Sequence, residues 1–359
     1  KRGDVRRIFE NLVYHGATEQ ILIDAHPHIG TNKLPKVVKN IRETILKYGG
    51  EIYFGAKVTD FVITGNQLKA IQVNHEKELS VTKVILATGH SARDIYYLLQ
   101  KKDIAIEAKS FAMGVRIEHP QEIIDSIQYH CNGKRNDLLP AASYSLVEQV
   151  KNRGVYSFCM CPGGFIVPAA TAKEEIVVNG MSPSKRNSLY ANSGIVVAIN
   201  VDQDLKKYDH YGALKGLEYQ KNLEKLAFTS GGRSQTAPAQ RMTDFVEGKL
   251  SNNLNNSSYQ PGLKSAPLHS LLPKIIGSRL RTGFKKFGKK MKGYYTEQAN
   301  IIGVESRTSS PVSIPRNDNL EHPQIKGLYP CGEGGGYAGG IISAAMDGER
   351  CVEAAIKNK

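Results

Sequence analysis

The chain has 359 residues, 40% of them apolar and 23% charged, with a net charge of +14. That is enough for two separate cores and is the balance of a water-facing globular protein rather than a disordered or fibrous one. No run approaches the roughly eighteen apolar residues of a membrane span. No leader of charged, apolar and small residues opens the sequence. Five scattered cysteines, an odd number, point to reduced thiols and a cytoplasmic address.

The sequence opens at Lys1 without a methionine, inside a basic helix-forming segment, and is expected to be part of a longer one. RRIFENLVYHG puts Ile8, Leu12 and Val13 on one helical face, with Gly16 as its C-cap. QILID (20–24) is expected as a strand, followed by the loop 25–32. Pro35 suits the first turn of a helix running to Tyr48, with Val38, Ile41, Ile45 and Leu46 expected inward and Gly49-Gly50 closing it. Strands are expected at 51–54, 57–63 and 67–74, with Thr64-Gly65-Asn66 turning the second pair into an antiparallel meander. SVTKVILA (80–87) reads as a buried parallel strand ending at Thr88-Gly89-His90, and Ser91 caps a new helix over 92–101.

Residues 109–295 read as an inserted unit with a mixed or antiparallel β-sheet. In it, GVYSFCMCPGGFIVPAAT (154–171) is expected as two strands around Pro162-Gly163-Gly164. GKLSNNLNNSSYQPGLKSA (248–266) carries no core signal and is expected as a mobile loop over a cleft. In 271–292, Leu272, Ile276, Leu280, Phe284, Phe287 and Met291 fall near helical spacing among a cluster of lysines and arginines. That face suits either a core or an anionic partner such as RNA.

Near the end, QIKGLYPCGEGGGYAGGIISAAM (324–346) is strand, glycine loop and helix. This arrangement brings backbone N–H groups and a helix N-terminus to an electron-rich group. Gly334, Gly336 and Gly339 have dinucleotide-fingerprint spacing, but only twenty residues follow Gly339. That is too few for the helix, second strand and distal acid of an opening βαβ. The stretch is therefore a closing element of a domain begun elsewhere.

The order of helix, meander, strand ending in Ala87-Thr88-Gly89 and terminal glycine loop resembles the two-dinucleotide-binding-domain, glutathione-reductase-like FAD oxidoreductases. HPHIGTNKLPKVV, FCMCPGG, ESRTSSPVSIPR and LYPCGEGGGYAGGI together resemble a group of bacterial FAD-dependent dehydrogenases. The resemblance spans nearly the whole chain. It departs in one respect: the opening strand, G-x-G-x-x-G and acidic ribose ligand have no counterpart before Lys1, so FAD is expected to be held weakly.

The resemblance implies an α/β fold. A split, partial FAD-binding Rossmann-like domain (1–108 and 296–359) would carry an inserted substrate domain (109–295). It also implies hydride transfer at flavin N5, with a small organic substrate or NAD(P)H as the other partner. The cofactor-binding residues would be Val58 (adenine, through its backbone), Ala87, Thr88, Gly89, Gly332, Glu333 (ribityl hydroxyls), Gly339, Gly340, Ile341 and Ile342. A helix start at Ile341-Ile342 would stabilise negative charge on the reduced pyrimidine edge by roughly 0.3–2 kcal/mol. Gly339 and Gly340 would let the backbone approach the ring.

The candidates for chemistry are Arg307, Cys159 and Cys161. Arg307 is expected either at an anionic group or in a structural salt bridge, with Arg241 a weaker candidate for the same role. Cys159 and Cys161 are expected as buried or substrate-lining thiols, the alternative being a redox pair. Cys331 is expected as packing and Cys351 as core. His119, His130 and Cys131 lack metal-site spacing, and no metal is expected. An RNA-binding or RNA-modifying flavoprotein is the alternative function. Neither the substrate nor the oligomeric state can be read from the sequence.

Overall fold

The computed structural model describes residues 4–358; Lys1, whose context bears on the expected longer chain, lies outside them, as do Arg2, Gly3 and Lys359. Helix α1 (Val5–Tyr14) starts at Asp4, whose carboxylate accepts from the N–H groups of Arg6 and Arg7 at 2.9 and 3.3 Å. Residues 19–22 form a 3₁₀ turn in place of the expected strand, begun by the Thr18 hydroxyl accepting from Gln20 N–H. Helix α2 (Leu34–Lys47) has Pro35 in its first turn. No strand forms at 51–54. The Asn74 side chain bonds Lys57 N–H and Gly55 carbonyl at 2.9 and 2.8 Å and holds 55–57 as a turn.

The meander is β1 (Val58–Thr64), β2 (Gln67–Val73) and β3 (Lys77–Ser80), antiparallel in that order. Its third strand follows β2 because Asn74 and His75 both take positive φ and turn the chain back. The expected strand 80–87 shortens to β4 (Val84–Leu86), followed by α3 (Arg93–Lys101) and β5 (Glu107–Ala108).

Next come β6 (Phe111–Pro120), α4 (Gln121–Tyr129), β7 (Val147–Val150), β8 (Arg153–Pro168), β9 (Val178–Met181), β10 (Tyr190–Ile199) and the short α5 (Val201–Asp204). They are followed by α6 (Lys215–Ser230), β11 (Ala237–Arg241), α7 (Met242–Glu247), β12 (Leu263–Ser265), α8 (Leu268–Leu271), α9 (Lys274–Lys290) and β13 (Asn300–Glu305). These strands make one mixed sheet in the order β12-β11-β13-β6-β10-β8-β7, with β9 on the far end of β8. Only β11 and β12 run parallel.

The strand β8 is continuous where a Pro-Gly-Gly turn was expected. Gly163, at φ 49°, bends it while Gln121 Oε1 takes its N–H at 2.6 Å. Loop 248–266 is tied to the sheet rather than loose. Ser258 N–H and hydroxyl both donate to Glu118, and Tyr259 is buried with its hydroxyl on Gln235 carbonyl at 2.8 Å. The apolar face of α9 (Ile276, Leu280, Phe284 and Phe287) is fully buried against this sheet.

The last part brings β14 (Val312–Ser313) against β5, β15 (Leu328–Pro330) parallel to β4, and α10 (Ile341–Lys357). Two hydrophobic clusters result. The larger lies wholly within 111–304; the smaller joins Phe61, Leu68, Leu86 and Tyr96 to Val312, Ile314 and Leu328. Among the described residues no helix is long and apolar enough to cross a membrane.

Candidate functional site

The pairing of β4 with β15 places two sequence-distant turns together. Leu328, Tyr329 and Pro330 lie opposite Val84, Ile85 and Leu86, and Cys331 N–H donates to Leu86 carbonyl at 3.0 Å. Thr88-Gly89 therefore meets the loop Gly332–Gly340. A Cβ on Gly334 would sit 2.8–3.0 Å from the backbone of Gly89, so only glycine allows this approach. The loop is pinned from behind. Tyr96 hydroxyl donates to Gly334 carbonyl and Lys109 Nζ to Gly336 carbonyl, both at 2.8 Å, and Asp347 takes Gly332 N–H at 2.8 Å. Burial pushes the Tyr96 phenol up to about 12, so it remains a donor at neutral pH.

The front of the loop is open. Ala87 and Thr88 are exposed, and nothing lies within 4 Å of where a side chain on Gly89, Gly339 or Gly340 would begin. Helix α10 starts with no side-chain cap, and Ile341 is 65% exposed. Its first N–H groups therefore face free space, with Ile342 half-buried beside them. Glu333 lies 3.2 Å from Nδ1 of His90, a residue not singled out from the sequence. Val58 begins β1 opposite Val73 and packs on the smaller core.

Cys159 and Cys161 belong to the large sheet. Between Asn192 and Gly194 of β10, one extra residue of β8 is accommodated, with Cys159 at φ 47°. This bulge leaves Cys159 exposed and Cys161 buried. Behind them Arg116, 0% exposed, spends all five N–H donors. They go to Asn192 Oδ1 (2.8 Å), Glu305 Oε2 (2.5 Å), Asn179 Oδ1 (3.4 Å), Cys159 carbonyl (2.7 Å) and Cys161 Sγ (3.7 Å). Cys159 is lowered to about 6, chiefly by a hydrogen bond from Cys161, whose own thiol is raised as the donor. Arg116 and Asn192 were missed because nothing but sheet pairing brings them to the thiols.

Arg307 also uses every donor. Its guanidinium bonds Glu224 at 3.1 and 3.2 Å, Glu175 at 3.2 Å, Ser91 Oγ at 3.1 Å and Thr171 Oγ1 at 2.5 Å. Arg93 completes a buried cluster of two cations and two carboxylates through Glu175 and Glu224. Of the two roles expected for Arg307, the ion pair is the one it makes. Arg241 is bonded to Asn253. Cys331, expected as packing, and Cys351, expected as core, are both buried and adjoin Asp347.

A family described as FAD-dependent protein, C-terminal domain-like, matches residues 110–308. An uncharacterized protein of Clostridium beijerinckii is 42% identical over 350 residues, covering 96% of this chain and 64% of its own length. This chain thus spans less than two-thirds of that relative's length. The crystal structure of CtdE in complex with FAD aligns over 89% of this chain and 58% of its own at 9% identity. Its TM-score of 0.32 is too low to carry an argument. With more than half its length matched, the chain belongs to the FAD-dependent protein family defined by that C-terminal domain.

Proposed function

We propose that this chain forms the flavin-ring end of an FAD-dependent oxidoreductase, passing hydride between flavin N5 and a small organic substrate or NAD(P)H. The observation that carries the reading is the β4–β15 pairing, which sets Thr88-Gly89 against the glycine loop and leaves the α10 N-terminus uncapped before open space. On this reading 1–108 and 296–359 are one split flavin-binding part and 109–295 covers the substrate.

Bound FAD would supply two-electron chemistry that no side chain here can provide. The N–H groups of Ile341 and Ile342 would hold negative charge at the pyrimidine edge. Gly89, Gly339 and Gly340 would admit a flat ring, Gly332 sets the turn, and Glu333 would accept from hydroxyls. Ala87 and Thr88 would line the open face, and Val58 would offer backbone to the adenine end. Cys159, exposed and thiolate-forming, is the better candidate to meet substrate, with Cys161 behind it; Arg307 has no donor to spare. A small molecule is favoured over RNA because α9 buries its apolar face and commits Lys286 and Lys290 to Glu148.

Gly340 provides the test. Its φ of 170° suits any residue, and nothing lies within 4 Å of its missing Cβ. Gly340→Val should therefore leave the circular dichroism spectrum and melting unchanged. Titrated with FAD and followed by flavin fluorescence, it should bind at least tenfold more weakly than the unaltered chain. Equal affinity would remove the loop from the flavin site.

A further inference from the structure

Behind the glycine loop three reactive side chains converge. Sγ of Cys331 at the end of β15, Sγ of Cys351 and a carboxylate oxygen of Asp347 on α10 lie within 4.8 Å of one another. Both thiols are buried, at 2% and 0% exposure. A cation is a poor occupant because the Arg316 guanidinium already stands there. Arg316 donates to both Asp347 oxygens at 3.0–3.2 Å and reaches Cys351 Sγ at 3.4 Å. The same carboxylate also accepts Gly332 N–H.

A guanidinium that repels a metal ion favours a thiolate. The Cys351 thiol is held below its ordinary range by a hydrogen bond from Cys331, which outweighs burial and the Asp347 carboxylate, with Arg316 on the same side; Cys331 is raised as the donor. Arg316 and Asp347 also form one wall of a cavity of about 330 Å³, completed by Tyr337, Gly339, Met346 and Arg350. Cys351 is thus one side chain removed from a space that a small oxidant can enter.

We propose that Cys331 and Cys351 are an oxidisable pair, which a small peroxide converts to a disulfide tying the root of the glycine loop to α10. Cys351 thiolate attacks one peroxide oxygen; the S–O bond forms, the O–O bond breaks, and the departing hydroxide is protonated to water. The Cys331 sulfur then attacks the sulfenic sulfur, forming S–S and releasing the second oxygen as water. The two thiols lose two electrons and two protons, and one peroxide becomes two waters. The sulfurs, within 4.8 Å of one another, must close to about 2.05 Å. The reaction does not depend on the flavin reading.

The test is a hydrogen peroxide titration of the whole chain. Remaining thiols are alkylated after denaturation, and the products are mapped by peptide mass spectrometry. Alkylation of Cys331 and Cys351 should be lost together, a linked 331–351 peptide should appear, and dithiothreitol should restore both. Cys331→Ser should stop Cys351 at a sulfenic acid that dimedone traps. Should that variant fail to fold, the linked peptide from the unaltered chain decides by itself. Full alkylation of both residues at a peroxide level that consumes exposed Cys159, or pairing of either with another cysteine, overturns the proposal.

Discussion

The large sheet and the glycine-loop region use similar apolar side chains in opposite ways. Around the sheet, Met113, Ile117, Phe284, Phe287 and Tyr294 are all completely buried. On α10, beside the loop, Ile341 and Ile356 are 65% and 72% exposed. The sheet side encloses these side chains, although Leu138 and Leu189 in its connecting loops are 93% and 80% exposed. The other invests in backbone geometry, with glycines at positive φ and carbonyls pinned from behind, and holds its open face toward whatever binds there. The two parts are joined by the buried Arg93–Glu175–Glu224–Arg307 cluster, which ties α3 to the sheet side.

Breaking the closed side should have the largest effect. Phe284→Ala is expected to cost about 3–5 kcal/mol in urea unfolding, as for a fully enclosed aromatic. Ile356→Ala should cost under about 0.5 kcal/mol. Equal costs would erase the contrast. A pH test follows from His119, buried in the sheet with Nε2 2.9 Å from Tyr294 carbonyl and held down to about 4 by burial. Its folded value lies below its unfolded one, so the unfolded chain binds the proton first as pH falls. Stability present above about pH 6.5 should drain away down to about pH 4, by about 3 kcal/mol. In His119→Gln the slope of stability over that window should flatten; parallel slopes would show that His119 is not the titrating group.

The smallest effect sharpens the comparison at the point where the closed side reaches solvent. Iodoacetamide alkylation of Cys159 should be half-maximal near pH 6, as the thiolate forms. Cys161→Ala removes the donor and should move that midpoint up by a unit or more, roughly 1.4 kcal/mol. An unmoved midpoint would assign the acidity to Arg116 alone.

Helix-forming runs, with Pro35 at the start of α2, locate α2, α3 and α10, but Ser91 makes no side-chain cap for α3. Val38, Ile45 and Leu46, expected to face inward, are exposed, while Val37 is the buried residue of α2. Local patterns failed where one distant side chain overrode local preference. Asn74 ties down Gly55 and Lys57 directly after 51–54, which forms no strand, and Gln121 lets β8 pass through Pro162-Gly163-Gly164 without turning. The loop's glycines were legible because close backbone approach leaves a mark in composition. Arg116, Asn192, Glu175 and Glu224 were not, because each is an ordinary residue until the sheet order sets it beside its partner.

The β4–β15 pair has a consequence for the order of events at the ribosome. Val84 cannot find Leu328 until nearly the whole chain has been made, and closing so long a loop is entropically costly. The larger cluster lies entirely between those strands. It can condense first, drawing the two distant ends together as it does so. Until then the meander and α3 wait with Phe61, Leu86 and Leu99 uncovered, the interval in which a chaperone would be most needed. Premature termination between residues 305 and 328 should therefore yield a chain whose middle is folded and whose beginning is not.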